Sequence, residues 1–452
     1  MTSLFYLLLV FLAIVILLAV GRPLYQAILG GLCLTAVLYR IGPGEILHLV
    51  GNVFTHWGSL SVLLSLYLIT YLQRMLEARE QIKLAQQDLN GLFHNRRVNA
   101  GIAPMFIGLL PSAAAMILCG DIVKEATDGY LEPEEQAFVT SWFRHIPESS
   151  LPTYASVLLL MNLADAQLPP FMLAMLGPAC ALMAIGYFQY LRRLPKDPGT
   201  PVSTDKKADA VHLFQHLWSL LLIIAVILIF KVSVVTAVLL SILLCLFVYR
   251  FSFQEVKRMV VSAFEKKLIL NTFLVLVLKE FIQFTGVLLL LPQVISQLPI
   301  PPFLTFAILF FLGGIISGAQ GIIALGTPLA MASLQGGIPT LVLLMGMAHA
   351  ASQVSPTHVC LVVASDYYHV TLGQLVKKTL PNSLLLYLLF PALDHGFEHN
   401  LVGPLQMGLE ETFGFRQVFG LQGIDDLQML EGTRFEGVRH DVGLELAQLD
   451  PF

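Results

Sequence analysis

The chain has 452 residues, of which 56% are hydrophobic and only 12% charged, with a formal net charge of −4 and a mean hydropathy of +0.76. Soluble globular proteins carry roughly twice that charged fraction, so the composition excludes a soluble protein. The sequence contains no P-loop, HExxH or GxSxG motif and no nucleic-acid-binding pattern. We therefore predict an all-α polytopic membrane protein that is not an enzyme.

The apolar runs give the predicted spans in chain order. The first run, residues 4–20, has no basic residue before it and is followed by Arg22, which predicts an uncleaved first span and an N-terminus outside the membrane. A span needs about 20 apolar residues. The predicted spans lie near 3–20, 24–40, 57–76, 149–166, 168–190, 212–230, 232–250, 268–290, 339–364 and 379–394.

Two polar stretches divide the chain. Residues 192–210 form a linker rich in Pro, Asp and Lys, and residues 395–452 hold ten Asp and Glu against three Arg. The predicted organisation is a first transmembrane repeat at 1–191, a cytoplasmic linker at 192–210, a second transmembrane repeat at 211–394 and an acidic extramembrane tail at 395–452.

Two sequence echoes indicate an internal repeat. GLLPSAAAMILCG (108–120) aligns with GIISGAQGIIALG (314–326) at an offset of 206, and LPTYASVLL (151–159) aligns with SPTHVCLVV (355–363) at an offset of 204. Two echoes in the same order, at nearly the same offset, predict two homologous halves that meet at the linker.

Charge decides how the two remaining apolar segments, about 99–127 and 302–333, cross the membrane. Basic residues cluster at 74–97, 192–207, 250–267 and 377–378, and the positive-inside rule favours the cytoplasmic side for all four clusters. All four clusters lie on the cytoplasmic side if both segments are re-entrant hairpins. Each repeat then has about five full spans and one hairpin, the repeats are inverted relative to each other, and both termini lie outside.

Inverted repeats with broken helices near the midplane are typical of secondary transporters. The predicted solute or ion site combines the hairpin tips with the points where Pro interrupts the following spans. The alternative is a pair of Pro-kinked helices whose small residues only allow close packing. The candidate site residues are Pro111, Ser112, Ala113, Ser150, Thr153, Tyr154, Ser317, Gly318, Gln320, Thr327, Gln353, Ser355, Thr357 and His358.

Charged residues near the predicted spans are further candidates. Asp121 is either a proton or cation carboxylate or a cap at the interface, and Arg144 either contacts an anion or follows the positive-inside rule. Lys279 and Glu280 fall in one span but on different faces, so each needs its own partner. The five cysteines have no CxxC spacing and are typical of small buried residues, not of disulfides or metal ligands. No metal beyond Na⁺ is predicted.

Four segments carry a resemblance to a known family: GLLP (108–111), SWFRHIPES (141–149), SPTHVCL (355–361) and ASDYYHV (364–370). They resemble the domain-of-unknown-function 401 family of prokaryotic integral membrane proteins over roughly residues 1–394. That family is grouped with the ion-transporter superfamily of citrate, dicarboxylate and gluconate carriers and sodium/proton antiporters. The resemblance implies an elevator-like carrier of the inner (plasma) membrane, commonly a homodimer.

The resulting hypothesis is a secondary active transporter that moves a small, carboxylate-type anion with Na⁺ or H⁺ as coupling ion and no other cofactor. Its expected partners are the lipid bilayer and the solute, not nucleic acid. One alternative is a Na⁺/H⁺-type antiporter that uses Asp121 or Glu280. A second alternative is a non-transporting scaffold or receptor that binds partners through the tail.

Overall fold

A computed structural model describes residues 2–81, 83–85, 88, 95–109, 115–196, 205–334, 337–356 and 358–397. The predicted tail beyond Phe397 lies outside the described residues. Within them the chain folds into α-helices joined by short connections. The helices are α1 (Thr2–Ala19), α2 (Leu24–Leu38), α3 (Pro43–Thr55), α4 (Trp57–Ala78), α5 (Arg96–Ile107), α6 (Ala115–Thr127), α7 (Pro133–His145), α8 (Ala155–Leu163), α9 (Leu168–Ala174), α10 (Leu176–Gln189), α11 (Lys206–Phe230), α12 (Val234–Tyr249), α13 (Phe253–Ser262), α14 (Lys266–Phe284), α15 (Leu291–Ile295), α16 (Pro302–Ser333), α17 (Ile338–Ser352), α18 (Val359–Tyr367) and α19 (Leu372–Phe397).

Several of these helices could span a membrane. Five spans in the described chain are long and apolar enough, namely α1, α4, the α9–α10 pair, α11 and α16. Two bent pairs raise the number to seven if each is one span: α14 with 287–295, bent by 64°, and α18 with α19, bent by 119°. The prediction of an all-helical chain is confirmed for the described residues, and its apolar helices are compatible with a multi-pass membrane protein.

Helix α16 is broken at Gly318, whose φ of 73° and ψ of 168° are not helical. A β-carbon built on Gly313 would lie 2.5 Å from Cδ1 of Ile322, and one built on Gly326 would lie 2.5 Å from Cε2 of Phe310. In a straight helix these pairs would be separated along the axis by about 14 and 24 Å. The two arms of α16 therefore run side by side in opposite directions, with the turn at Gly318.

Helices α5 and α6 form a second pair of antiparallel arms. They pack against each other, and Nη1 of Arg96, at the start of α5, donates to the carbonyl oxygens of Glu125 and Ala126 near the end of α6 at 3.2 and 3.3 Å. The arms have 12 and 13 residues, a length of about 18–20 Å. Each is too short to cross a hydrocarbon core of about 30 Å.

Two further helix pairs are interrupted by non-helical backbone. Helix α7 continues through a 3₁₀ turn at Ile146–Ser149, and α8 begins only at Ala155. Helix α17 ends at Ser352, and α18 begins at Val359. The span predicted at 149–166 was expected to unwind at 149–154, where Pro152 disfavours a helix, and the structure agrees: α8 begins at Ala155, and α7 supplies the helical segment before the break. The span predicted at 339–364 is likewise two helices, α17 and α18.

The packing of these elements repeats. The α5–α6 arms contact α7, the first half of their own broken pair, and α18, the second half of the other pair. The arms of α16 contact α17 and α8 in the corresponding way. Helix α7 touches α18, and α17 touches α8. Each pair of arms therefore contacts the first helix of one broken pair and the second helix of the other.

Ion pairs and hydrogen bonds link the four basic clusters. Arg79 pairs with Glu255 at 2.7 Å, and the hydrogen bond from Arg79 together with those from Ser252 lowers the pKa of Glu255 to about 2. Nε of Arg97 donates to the carbonyl oxygen of Leu194 at 2.6 Å. One carboxylate, that of Glu135, lies 3.0 Å from Nη2 of Arg193 and 3.5 Å from Nζ of Lys378.

Candidate functional site

A cavity of about 630 Å³ lies where the broken elements meet. Its rim includes the exposed turn Gly21–Pro23 between α1 and α2 and the exposed Glu265 before α14. Its inner wall includes Arg144 and Ser156, whose exposed fractions are 2% and 5%. The cavity therefore runs from one open rim to a buried floor, as ligand pockets do.

Three helices begin at the wall of this cavity. Ala155 and Ser156 open α8, Val359 and Cys360 open α18, and Ala319 and Gln320 follow the break at Gly318 in α16. The first turn of a helix carries unsatisfied amide groups and a partial positive charge of roughly half a unit. The cavity wall is thus suited to an anionic group.

The Arg144 side chain adds a full positive charge to this wall. It comes from the last turn of α7, is almost completely buried, and its Nη1 lies 3.7 Å from Sγ of Cys360. Glu148, from the 3₁₀ turn that follows α7, also lines the cavity. The planar guanidinium group can bind a carboxylate through two parallel hydrogen bonds.

Two glycines at aligned positions of the first echo allow each hairpin to approach its neighbouring helix. A β-carbon on Gly108 would lie 2.1 Å from the carbonyl oxygen of Arg144. One on Gly314 would lie 2.7 Å from Cβ of Ala351 and 3.9 Å from Cα of Ala348. Only glycine leaves room for such contacts, so the glycine that begins each echo is explained by packing.

Hydroxyl groups from both breaks bind the end of the first arm of a hairpin. Oγ1 of Thr153 donates to the carbonyl oxygen of Leu109 at 3.1 Å, and the Tyr154 hydroxyl donates to that of Gly108. Oγ of Ser355 donates to the carbonyl oxygen of Ile315 at 2.7 Å. These carbonyl groups lie where a helix ends and need a partner from outside the helix.

His145, His358 and Cys360 bring their ligand atoms together beside the cavity. Nε2 of His145 lies 3.0 Å from Nε2 of His358, and the possible ligand atoms of the three residues all lie within 4.8 Å of one another. Oε2 of Glu148 lies 3.6 Å from Nε2 of His145. Among the described residues these three form the one His, Cys, Asp or Glu group of suitable spacing for a metal ion.

The structure brings together several of the predicted site residues. Those that line the cavity are Arg144, Thr153, Tyr154, Ser317, Gly318, Gln320 and His358. Ser355 binds the α16 arm as described above, and Oγ of Ser150 lies 3.5 Å from the carbonyl oxygen of Pro147. Thr327 and Gln353 are buried, and the hydroxyl of the former and both amide atoms of the latter have no hydrogen-bond partner among the described residues.

Other predicted site residues lie away from the cavity wall. Asp121 is exposed on α6, where it accepts a hydrogen bond from the Tyr367 hydroxyl. Nζ of Lys279 donates to the carbonyl oxygen of Asn162 at 3.2 Å, and Glu280 accepts from Nδ2 of Asn52 at 3.2 Å. Lys279 and Glu280 thus have separate partners, as their adjacency predicts. Pro111, Ser112, Ala113 and Thr357 lie outside the described residues.

Sequence reasoning missed several residues of the cavity wall. Glu148 and Cys360 were not candidates, and neither were the polar side chains of Thr70, Gln73 and Asn271 from α4 and α14. Glu148 carried a usable signal, because it is a charged residue directly before a predicted span that Pro interrupts. Cys360 carried none, since a single cysteine in an apolar run is usually only a small buried residue.

Comparison with known proteins identifies the family. No match was found among curated proteins. The model of a family described as a protein of unknown function, DUF401, matches residues 3–393, which is nearly the whole described chain. The chain therefore belongs to the DUF401 family.

Proposed function

We propose that the protein is a secondary active transporter of a small, carboxylate-type anion, driven by a gradient of Na⁺ or H⁺. The observation that carries this proposal is the convergence of three helix N-termini and the buried Arg144 guanidinium group on one cavity. Positive charge held away from water attracts an anion strongly. A volume of about 630 Å³ is in the range of pockets for small organic molecules.

The repeated packing supports two inverted repeats with re-entrant hairpins. Aligned glycines, Gly108 and Gly314, pack on corresponding parts of α7 and α17, and each pair of arms contacts both broken helices. Arms of 12 and 13 residues that return on themselves suit a segment that enters and leaves by the same membrane face. Broken helices around a central site are the arrangement of secondary transporters.

The linked basic clusters support the proposed orientation. Contacts join the clusters through Arg79, Arg97, Arg193 and Lys378, and basic residues favour the cytoplasmic side. The rim of the cavity carries Arg22 and the Glu265 carboxylate, which pairs with Arg74 at 2.9 Å. We infer that the cavity opens toward the cytoplasm, with both chain ends outside.

The same breaks offer groups for the coupling ion. Helix C-terminal carbonyl oxygens and neutral hydroxyl groups suit Na⁺, and the Glu148 carboxylate in the cavity wall could carry a proton. Antiport through Asp121 or Glu280 receives less support, because Asp121 is exposed on α6 and Glu280 is bound to Asn52. The placement in an ion-transporter superfamily, the inner-membrane location and a homodimeric assembly belong to the same proposal.

Uptake into proteoliposomes tests the proposal. Radiolabelled mono-, di- and tricarboxylates are supplied under an inward Na⁺ gradient, an inward H⁺ gradient, or neither. We expect at least one carboxylate to accumulate only under a gradient. Arg144→Gln should reduce its uptake by about 10–100-fold, since a hydrogen bond to a charged group is worth about 1.5–3 kcal/mol.

Arg258→Gln is the matched control, because Arg258 is exposed on α13 and does not line the cavity. Gel filtration and a thermal melt of each variant establish that it is folded. Absence of gradient-driven uptake of every carboxylate, or equal uptake by the folded Arg144→Gln variant and the wild type, would contradict the proposal.

A further inference from the structure

We propose that His145, His358 and Cys360 bind one transition-metal ion of the zinc class at the wall of the cavity. This inference does not depend on transport, because it concerns only the affinity of the protein for a metal. It also goes against the expectation from cysteine spacing, which counted Cys360 as a small buried residue.

The hydrogen bond on the far side of the His145 ring determines which of its nitrogens can bind a metal. Nδ1 of His145 lies 2.6 Å from the carbonyl oxygen of Ser141. A carbonyl oxygen only accepts, so Nδ1 carries the proton and the neutral ring has its lone pair on Nε2. Metal-binding histidines commonly donate their other N–H group to a backbone carbonyl in this way.

The distance between the two imidazole rings fits a shared ion. Nε2 of His145 and Nε2 of His358 are 3.0 Å apart. Two nitrogens bound to zinc at 2.0–2.1 Å with a tetrahedral angle are separated by about 3.3 Å. In the observed pair Nε2–H of His358 donates to the Nε2 lone pair of His145. Metal binding moves that proton to Nδ1 of His358, and a shift of a few tenths of an ångström then brings the two nitrogens to the separation of a ligand pair. Sγ of Cys360 lies within 4.8 Å of a possible ligand nitrogen on each ring.

The surrounding charges decide whether a cation is tolerated here. Arg144 lies beside Cys360 and opposes a cation, but its positive charge also stabilises the thiolate, the form of cysteine that binds metals. The Glu148 carboxylate lies 3.6 Å from Nε2 of His145 and adds a second negative charge. The thiolate that forms when the Cys360 proton leaves and the Glu148 carboxylate already present together balance the two positive charges of a divalent ion.

The donor atoms select the class of metal. Two imidazole nitrogens and one sulfur suit Zn²⁺ and chemically similar ions, and not Mg²⁺ or Ca²⁺, which prefer oxygen. Three protein ligands leave a fourth position, as in zinc sites that also hold water or substrate. His358 and Cys360 line the cavity, so ions and solutes reach the ligand atoms from it.

Cobalt titration of the purified, chelator-treated protein tests the site, with Co²⁺ as a spectroscopic probe that Zn²⁺ displaces. We expect one Co²⁺ per chain, a thiolate-to-cobalt charge-transfer band, and loss of that band on addition of Zn²⁺. Cys360→Ser should abolish the band. It should weaken Zn²⁺ binding by more than the roughly 10–100-fold that loss of an outer-shell partner typically costs.

Cys180→Ser is the matched control, because Cys180 is an exposed cysteine on α10, and it should leave the band unchanged. A measurement on the wild type removes any dependence on variant folding: Zn²⁺ should protect Cys360 from alkylation, mapped by mass spectrometry, and leave Cys180 unprotected. Folded wild-type protein without the band, a band that persists in Cys360→Ser, or alkylation of Cys360 unaffected by Zn²⁺ would each overturn the proposal. No carboxylate is present in the assay, so its outcome is separate from that of the uptake experiment.

Discussion

The two broken helix pairs, α7–α8 and α17–α18, share their packing and differ in their chemistry. At an offset of 204 residues His145 corresponds to His349, but Arg144 corresponds to Ala348 and Glu148 to Ser352. A glycine of a hairpin packs closely against the first helix of each pair. In each pair, a hydroxyl group from the break donates a hydrogen bond to a carbonyl oxygen of a hairpin arm. The comparison teaches that the two pairs make similar packing contacts with the hairpin arms, whereas, of these two pairs, it is the first that places charged side chains, Arg144 and Glu148, on the cavity wall among the described residues.

The glycine contacts offer the largest expected effect on this framework. A methyl group at Gly108 meets the carbonyl oxygen of Arg144 at 2.1 Å, which is backbone and cannot rotate away, whereas one at Gly314 meets Cβ of Ala351 at 2.7 Å. Overpacking costs about 1–3 kcal/mol or more. We expect Gly108→Ala to lower the melting temperature more than Gly314→Ala.

Gly44→Ala is the control for this pair, because a β-carbon on Gly44 meets no atom within 4 Å. A differential scanning melt of the three variants in detergent makes the comparison. Wild-type stability in Gly108→Ala would show that the contact with α7 does not constrain the first hairpin.

The turn of the second hairpin should give an intermediate effect. Gly318 has a φ of 73° and a ψ of 168°, a combination that is essentially restricted to glycine and costs other residues about 1–3 kcal/mol. We expect Gly318→Ala to destabilise the protein by an amount in that range, measured by thermal unfolding. Gly51→Ala, at an open helical position, serves as the reference. Equal melting temperatures for both variants would be incompatible with the described turn.

Removing the hydroxyl groups that bind the hairpin arms should have the smallest effect on stability. It compares the two broken helix pairs most directly. Thr153→Val and Ser355→Ala each remove one hydrogen bond to a hairpin carbonyl, with an expected loss of about 0.5–1.5 kcal/mol. If the two breaks hold their hairpin arms equally strongly, the two variants should lose similar amounts of unfolding free energy. Ser61→Ala, whose exposed hydroxyl binds within its own helix, is the control. A loss confined to one break would indicate that the two halves hold their hairpins differently.

The sequence predicted the breaks in the two helix pairs because their causes are local. Pro152 and Pro356 each lack an amide hydrogen and disfavour helix at the residue before them, and the small residues of the two echoes signal close packing. These features could be read without knowing which segments meet in space.

The contacts between distant segments could not be predicted in the same way. Lys279 and Glu280 find partners in Asn162 and Asn52, from segments more than a hundred residues away. Cys360 meets His145 only because α18 packs against α7. Such contacts depend on tertiary packing, and no periodicity or local propensity in one sequence records them.

Accessibility of the Gly318 turn from the two membrane faces tests the proposed transport function most directly, because a secondary transporter must open its site to each face in turn. Ala319 lines the cavity. The Ala319→Cys substitution is introduced into a variant whose five native cysteines are replaced by serine. Lys257→Cys, exposed on α13, reports one face. Membrane-impermeant maleimide is added to right-side-out or inside-out vesicles. The account predicts that Ala319→Cys reacts from both faces and Lys257→Cys from one. Reaction of Ala319→Cys from a single face would contradict it.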